Sequence, residues 1–209
     1  MSEIKEVVSE VENKDLVKKK HEQIVKAASE LFSKQGYHKT TMREISKASG
    51  INLSYLYKYI SSKDDILFLF YQSLYKKWVQ LYEDLDKSTD KNLVEQLDGF
   101  LREVLIVNNT LSHEVRTMYT ESRHLDKESL RAVLSMESRC IRQIEKVISR
   151  GIEQGVFKTE DPFFVANIIQ YFATFKTLRG WNFNNQYTFT RYIELLIDFI
   201  LKALGVEEK

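Results

Sequence analysis

The chain is poor in the residues that build disulfide frameworks and turn-rich folds. Its 209 residues include one cysteine, one proline and seven glycines. The single cysteine, Cys140, excludes an intramolecular disulfide and any site built from several cysteines, and it suits a reducing compartment. Because prolines and glycines are so few, long uninterrupted helices are favoured over a sandwich or barrel with many turns.

Long apolar runs and recognisable catalytic patterns are also missing. No stretch of about 18 apolar residues occurs, which predicts no membrane span. The first twenty residues contain no apolar core of signal-peptide length, so we expect a cytoplasmic protein. The four histidines are scattered, and neither a phosphate-binding glycine loop nor a local Ser/His/Asp pattern is present. We therefore predict no enzyme, no metal site and no cofactor.

What the sequence does contain is an uneven charge distribution. The formal net charge is only +1, but Lys14–Lys63 holds eleven basic and four acidic residues. This segment therefore carries +7, and the rest of the chain carries −6. A basic head on an acidic body is typical of a protein that meets phosphate with one end only. The alternative is chance clustering of charge on a solvated surface.

Apolar residues recur with helical periodicity, which predicts an all-α fold in three parts. Residues 1–15 are expected to be a mobile tail or a frayed extension of the first helix, residues 16–62 a helix-turn-helix DNA-binding domain, and residues 63–205 a larger helical domain for ligand binding and dimerisation. The first helix is expected from His21 to Gly36. Later helices are predicted over residues 92–107, 111–125, 127–154, 162 onward (opened by Asp161-Pro162) and 187–204.

The strongest motif lies between Met42 and Ile60. Thr41 and Glu44 have capping-box spacing, Gly50 provides a tight turn, and Asn52 can cap a third helix that runs to Ile60. Apolar residues would lock the two short helices together: Ile45, Ala48, Ile51, Leu56 and Ile60. The expected outward face consists of Leu53, Ser54, Tyr55, Tyr57, Lys58 and Tyr59. Such a unit places its second helix in the DNA major groove, whereas the alternative is an ordinary helical hairpin.

Residues 40–51 (TTMREISKASGI) resemble the second helix and turn of TetR-family regulators, and residues 56–60 and 62–67 resemble their recognition helix and the start of their fourth helix. The resemblance implies that Thr40, Tyr57 and Lys63 contact backbone phosphates and that residues 53–55 meet base edges. Thr41 and Arg43 are further candidate DNA contacts. Leu53 stands where a polar or basic residue is frequent, and Ser54-Tyr55 replaces a usual glycine-threonine, so no operator sequence is predicted.

In that family the last two helices form an intersubunit four-helix bundle, so the resemblance implies a homodimer. The candidate dimer residues are Phe163, Ile168, Phe172, Tyr192, Leu196 and Ile200. The alternative is that these side chains serve only the internal core of one protomer.

A small-molecule effector is expected among the middle helices. Arg116 and Arg123 are seven residues apart, which places them on one face of a continuous helix. The segment 119–125, with residues 130–157 after it, resembles TetR-family regulators that sense acyl-CoA thioesters. The candidate effector residues are Arg116, Tyr119, Arg123, Phe172, Phe175 and Trp181. The alternative for Arg123 is a structural ion pair.

These patterns together predict a repressor that an apolar or amphiphilic effector, best represented by an acyl-CoA thioester, releases from its operator. Sequence does not separate repression from activation. The alternative function is a helical ligand-binding or protein-interaction module without DNA binding, which would be indifferent to replacement of Tyr57 and Lys63.

Overall fold

In the computed structural model, which describes residues 5–87 and 92–206, helices are the only regular secondary structure. The predicted all-α architecture is therefore confirmed. A 3-10 turn, Ser122–His124, follows the sixth helix. The α-helices are α1 (Lys14–Gln35), α2 (Met42–Ser49), α3 (Leu53–Leu56), α4 (Lys63–Lys87), α5 (Leu93–Thr110), α6 (Ser112–Glu121), α7 (Lys127–Glu153), α8 (Pro162–Phe183) and α9 (Phe189–Ala203).

The chain divides into two compact units. The first contains the residues up to Lys76 together with Arg116–Met136, and the second contains Lys77–Val115 together with the residues from Glu137 onward. Helices α4, α6 and α7 contribute residues to both units. The sequence predicts a boundary between residues 62 and 63, where α4 begins, whereas the first compact unit extends further along α4 and includes α6 from Arg116 onward.

The first unit is organised around the packing of α1 on α2 and of α2 on α3. Fully buried side chains from all three helices meet there, among them Ile24, Ile45 and Leu56. Burial of each such side chain contributes about 1.5–3 kcal/mol relative to exposure. One predicted contact is wrong, because Ala48 is exposed and the neighbouring Ser49 is buried in its place.

The second unit is built on α5, which packs against α8 and α9. The Asn108 side-chain amide donates to the carbonyl of Ala173 at 2.8 Å, and the Lys158 amide donates to the carbonyl of Leu204 at 2.8 Å. The predicted start of α8 is confirmed: Asp161 caps the helix by accepting from the Phe164 amide, and Pro162 is its first residue.

Three helix predictions differ from the structure. α1 begins at Lys14 rather than at His21, because Asn13 caps it by accepting from the Leu16 amide. The third helix ends at Leu56, and the chain continues to Tyr59 as a turn. The helix expected over residues 111–125 ends at Glu121 and is followed by the 3-10 turn.

The predicted mobile tail also differs where the structure describes it. Residues 5–13 have no regular secondary structure, but they are hydrogen-bonded to the rest of the first unit at two points. The Lys5 ammonium donates to the carboxylate of Asp126 at 2.9 Å, and the Glu10 amide donates to the carbonyl of Lys58 at 2.9 Å. Residues 1–4 of the predicted tail lie outside the described residues.

Candidate DNA-binding surface and effector region

The helix-turn-helix is built by local hydrogen bonds that the sequence anticipates. The capping box of α2 is present: the Glu44 amide donates to the Thr41 hydroxyl oxygen at 3.2 Å, and the Thr41 amide donates to the Glu44 carboxylate at 2.7 Å. Hydrogen bonds donated by the Thr41 amide, and next by the Thr41 hydroxyl, lower the pKa of the Glu44 carboxyl. Gly50 ends α2 in the left-handed region at φ 68°, a conformation that favours glycine.

Helix α3 and the turn after it carry several exposed side chains. Asn52 caps it by accepting from the Ser54 amide at 3.0 Å. Tyr55 and Tyr57 are 51% and 45% exposed, large values for aromatic side chains. The Lys58 ammonium lies 5.1 Å from the centroid of the Tyr55 ring. Ser54 and Lys58 are exposed and Leu53 is half-buried, so five of the six residues of the predicted outward face can reach a ligand.

The sixth residue, Tyr59, does not belong to the exposed face, so that part of the prediction is wrong. It is 1% exposed and belongs to the core of the first unit, while its backbone carbonyl accepts from the His21 ring Nε2 at 2.7 Å. The prediction assumed that the helix continues to Ile60. Because α3 ends at Leu56, the turn that follows directs the Tyr59 ring inward.

Two residues with implied phosphate contacts form hydrogen bonds within the protein. Thr40 is 1% exposed, and its hydroxyl donates to the carbonyl of Gly36 at 2.9 Å. The Lys63 ammonium donates to the carbonyls of Tyr37 and Thr40 at 2.9 and 3.0 Å. Partial burial lowers the pKa of Lys63. These contacts assign Thr40 and Lys63 to the support of the α1–α2 turn.

The two remaining candidate DNA contacts lie at the start of α2. Thr41 and Arg43 are both exposed. The Thr41 hydroxyl donates to the Glu44 carboxylate at 2.8 Å as part of the cap. Among the candidate DNA contacts, Arg43 is therefore the exposed cation on α2.

A ring cluster lies beneath the α1–α2 turn. The Lys63 ammonium lies 4.1 Å from the centroid of the Tyr37 ring, and the Tyr37 hydroxyl donates to Asp64. Burial, followed by the hydrogen bond to Asp64, raises the pKa of Tyr37. His124 stacks on Tyr37 with ring centroids 5.4 Å apart, and His38 meets His124 edge-on at 4.0 Å. The helix-turn-helix therefore contacts the 3-10 turn after α6 within one compact unit.

The predicted effector residues are divided between the two units. Arg116, Tyr119 and Arg123 belong to the first unit, whereas Phe172, Phe175 and Trp181 belong to the second. Because α6 ends at Glu121, Arg116 and Arg123 do not share one continuous helix face, and that part of the prediction is wrong. Arg123 is exposed and its Nε donates to the His124 ring at 3.2 Å.

Aromatic rings form a connected series in the second unit. Phe172 contacts Phe175 and Phe199 with centroids 5.9 and 5.8 Å apart, and Phe183 contacts Phe175 and Tyr192 at 5.4 and 5.3 Å. Burial raises the pKa of Tyr192 to about 12. Phe172 and Phe175 thus belong to one aromatic cluster, whereas Trp181 is strongly exposed on α8 and is not part of this ring series.

The last two helices leave an apolar face exposed. Of the predicted dimer residues, Phe163 and Ile168 are exposed, and Phe172 and Leu196 are half-buried. Tyr192 and Ile200 are buried inside the protomer, so their assignment to a dimer surface is wrong. The sequence analysis missed four exposed apolar residues on these helices: Phe164, Tyr171, Leu195 and Phe199. Their i, i+4 and i+7 spacing along α8 and α9 is the signal that could have identified them.

The described residues contain neither a metal-binding cluster nor a membrane-spanning helix. No group of three or more His, Cys, Asp or Glu side chains there could hold a metal ion. None of the described helices combines the length and the apolar character that crossing a membrane requires.

Comparison with known proteins agrees with this geometry. Residues 24–69 match the family described as "Bacterial regulatory proteins, tetR family", and residues 90–174 match "Tetracyclin repressor-like, C-terminal domain". The chain is similar to the HTH-type transcriptional regulator HbdR of Aromatoleum sp. (strain CIB), with 28% identity over 98% of this chain and 91% of that protein. It is also similar to the fatty acid metabolism regulator protein of Bacillus subtilis (strain 168), with 24% identity over 80% and 86% of the two chains.

Solved structures share the fold at lower identity. A regulatory protein of the tetR family from Rhodococcus RHA1 superposes with a TM-score of 0.81 and 18% identity over 91% of this chain and 99% of that one. AibR, in complex with isovaleryl coenzyme A and operator DNA, superposes with a TM-score of 0.73 and 20% identity over 86% and 97% of the two chains. The two family matches, over residues 24–69 and 90–174, show that the chain belongs to the TetR family of DNA-binding transcriptional regulators.

Proposed function

We propose that the chain is a cytoplasmic repressor that binds its operator as a homodimer and that an acyl-CoA thioester releases from it. The observation that carries the DNA-binding part is the exposed surface of α3 and the turn after it, where two tyrosines and a lysine lie within the basic segment of the chain. Residues 53–55 would meet base edges, and Tyr57, Lys58 and Arg43 would contact phosphates.

Dimerisation follows from what a single helix-turn-helix lacks. One recognition helix covers a short stretch of DNA, whereas two copies on a two-fold axis read two half-sites about one or more helical turns apart. The exposed apolar residues of α8 and α9 supply a self-complementary surface for such a pair. The core of that surface is formed by Phe164, Ile168, Tyr171, Leu195 and Phe199.

Two relatives support the effector proposal. The Bacillus subtilis relative is a fatty acid metabolism regulator, and the AibR structure holds isovaleryl coenzyme A together with operator DNA. In this chain the half-buried rings Phe172, Phe175 and Phe183 provide apolar surface suited to an acyl group. Effector binding would favour a conformer with weaker operator affinity. Coupling of about 1–3 kcal/mol changes that affinity about 5- to 150-fold.

The test uses a duplex selected by the purified chain from a randomised DNA library. Fluorescence anisotropy would measure binding of that duplex at several salt concentrations, with and without isovaleryl-CoA and a long-chain acyl-CoA. We expect steep salt dependence and release by at least one thioester, with free coenzyme A as the control ligand. A chain that binds duplex DNA but ignores every thioester contradicts the effector proposal alone. A chain that selects no duplex contradicts the repressor and favours a helical interaction module.

Repression is distinguished from activation in a reporter assay. A promoter that carries the selected duplex should give lower output when the chain is present and recover when an effective thioester is supplied. Higher output in the presence of the chain contradicts the repressor assignment and leaves the DNA-binding assignment in place.

A further inference from the structure

The segment before α1 lies along the first unit in an extended conformation. From residue 5 to residue 12 the exposure of the side chains alternates: the odd-numbered positions are half-buried and the even-numbered positions are exposed. This period of two is typical of an extended chain with one face against a surface. The segment ends at Asn13, whose side chain caps α1. We call residues 5–13 the N-terminal strap.

One end of the strap is attached to the end of the recognition helix. The carbonyl of Lys58 accepts from the Glu10 amide at 2.9 Å and from the Ser9 hydroxyl at 3.0 Å. The next carbonyl, that of Tyr59, accepts from the His21 ring. A helix as short as α3 leaves its last carbonyls without helical partners, so donors from elsewhere in the chain must satisfy them. The strap therefore supplies donors to the turn that ends the recognition helix.

The other end of the strap is attached to the start of α7. The Lys5 ammonium donates to the Asp126 carboxylate at 2.9 Å and to the Ser129 hydroxyl at 2.6 Å, and it lies 5.4 Å from the centroid of the Phe68 ring. The hydrogen bond from Lys5 is the main reason that the pKa of Asp126 lies well below its usual range. Asp126 also accepts from the amides of Glu128 and Ser129, so it organises the first turn of α7.

We propose that the N-terminal strap couples the start of α7 to the recognition helix and so positions that helix for DNA. Both attachments lie within the first compact unit. From Lys5 to Ser9 an extended chain spans at most about 14 Å, which limits how far apart the two attachments can move while both persist. A shift at the first turn of α7 therefore pulls on the carbonyl of Lys58. The inference depends on the DNA-binding function of the chain and not on the identity of its effector.

The test separates long-range coupling from a merely local role. Lys5→Met removes the ammonium but keeps much of the apolar stem, whereas Lys5→Arg keeps a cation. Val8→Ala is the matched control, because Val8 is 76% exposed on the outer side of the same strap. Hydrogen exchange would follow the amides of Tyr57, Tyr59 and Ile60, each of which donates to a carbonyl of α3.

We expect Lys5→Met to accelerate exchange of these three amides by about tenfold, as for the loss of one charge-assisted hydrogen bond. The affinity for the duplex selected by the wild-type chain should fall by a similar factor. Lys5→Arg should retain most of the protection, and Val8→Ala should match the wild type. Faster exchange confined to the first turn of α7, with the recognition helix unchanged, overturns the proposal.

A second variant tests the coupling from the opposite end. Ser9→Ala removes the hydroxyl bonded to the Lys58 carbonyl and leaves Lys5 intact. Coupling is reciprocal, so exchange of the Leu130 amide, which donates to the Asp126 carbonyl, should also accelerate. No change at Leu130 overturns the proposal. If the wild-type chain showed no salt-dependent binding of duplex DNA, that result would instead contradict the DNA-binding function itself.

Discussion

At the scale of single residues, two lysines close in sequence have different tasks. Lys58 is exposed beside the Tyr55 ring, whereas Lys63 donates to two backbone carbonyls below the α1–α2 turn. A side-chain cation that contacts a phosphate must be able to turn towards DNA without breaking hydrogen bonds within the protein. Lys58 meets that requirement, and Lys63 would leave the carbonyls of Tyr37 and Thr40 without this donor.

The two lysines therefore predict opposite phenotypes. Lys58→Gln should leave thermal unfolding unchanged, weaken duplex binding and reduce the slope of log affinity against log salt by about one per protomer. Lys63→Met should destabilise the free protein by about 1–3 kcal/mol, because carbonyl acceptors lose their partner. Circular dichroism and anisotropy at several salt concentrations would measure both, with Lys127→Gln at an exposed site on α7 as the control. Equal effects of the two substitutions on stability contradict this division.

His124 makes a prediction about pH. Desolvation first, and His38 second, lower its pKa below the ordinary 6.5, while Glu121 acts in the opposite direction. Arg123 and Lys63 also lower it, and Arg123 donates to the same ring nitrogen that a proton would occupy. The folded state thus favours neutral His124. Stability contributed by the neutral ring is fully present above the unfolded pKa and is lost as pH falls below about 6.5.

Unfolding measured between pH 7.5 and 5.5 would check this. We expect the wild-type chain to lose stability over that interval and His124→Gln to lose less, because the amide does not titrate. The groups that face His124 include Tyr37, His38, Lys63, Glu121 and Arg123, so a His38→Gln variant serves as a control for the second imidazole. Parallel pH profiles for the wild type and His124→Gln contradict the prediction.

At the scale of secondary-structure elements, the backbone at Gly151, near the end of α7, packs closely against the Phe157 ring. The amides of Val156 and Phe157 both donate to the carbonyl of Gly151, at 2.8 and 3.0 Å. A Cβ on Gly151 would lie 2.0 Å from a ring carbon of Phe157, which is buried. The backbone of Gly151 is helical, so its conformation does not demand glycine. Glycine is required because the Phe157 ring leaves no space for a Cβ.

We predict that Gly151→Ala lowers the free energy of unfolding by about 1–3 kcal/mol, the usual effect of overpacking a well-packed site. Gly99→Ala is the matched control: it is also a helical glycine, and an added Cβ there meets no heavy atom within 4 Å. That substitution should be neutral or stabilise by up to about 1 kcal/mol. Urea unfolding of both variants would decide. A Gly151→Ala protein as stable as Gly99→Ala contradicts the close packing.

Element boundaries were predictable where a local chemical signal fixes them. The Thr41–Glu44 box, Gly50, and the Asp161-Pro162 start of α8 are such signals, and each acts as the sequence predicts. The early end of α3 and the break after Glu121 carry no proline or glycine. Tertiary contacts decide them, through the buried Tyr59 ring and the His124 stacking on Tyr37.

The same distinction explains the outcome for candidate site residues. The sequence places Tyr55, Tyr57 and Lys58 correctly on an exposed face, because a motif of fixed spacing determines their direction. It does not reveal that Thr40 and Lys63 bond to backbone carbonyls, or that residues 5–13 attach to Lys58 and Asp126. Apart from the bond between Thr40 and Gly36, which are four positions apart, those contacts join residues 23 to 121 positions apart, and no local pattern records them.

At the scale of the whole molecule, the proposed dimer depends on the exposed apolar face of α8 and α9. Phe199 is 57% exposed, and its ring contacts that of Phe172 within the protomer. Monomeric proteins seldom expose several large apolar side chains on neighbouring helices, so a covering partner is expected there. A second copy of the chain is the partner that operator symmetry requires.

Phe199→Asp should therefore dissociate the dimer. Removal of a central aromatic contact costs about 2 kcal/mol per copy, and a two-fold interface contains the residue twice, so the dissociation constant should rise roughly 1000-fold. Ile106→Asp places the same charge at an exposed apolar residue of α5 and should leave the dimer intact. Sedimentation velocity would measure both, and the monomeric variant should also lose affinity for a two-half-site duplex while retaining weak binding to a single half-site. A dimeric Phe199→Asp protein would move the interface away from α9, and a wild-type monomer would remove the basis for two-fold operator recognition.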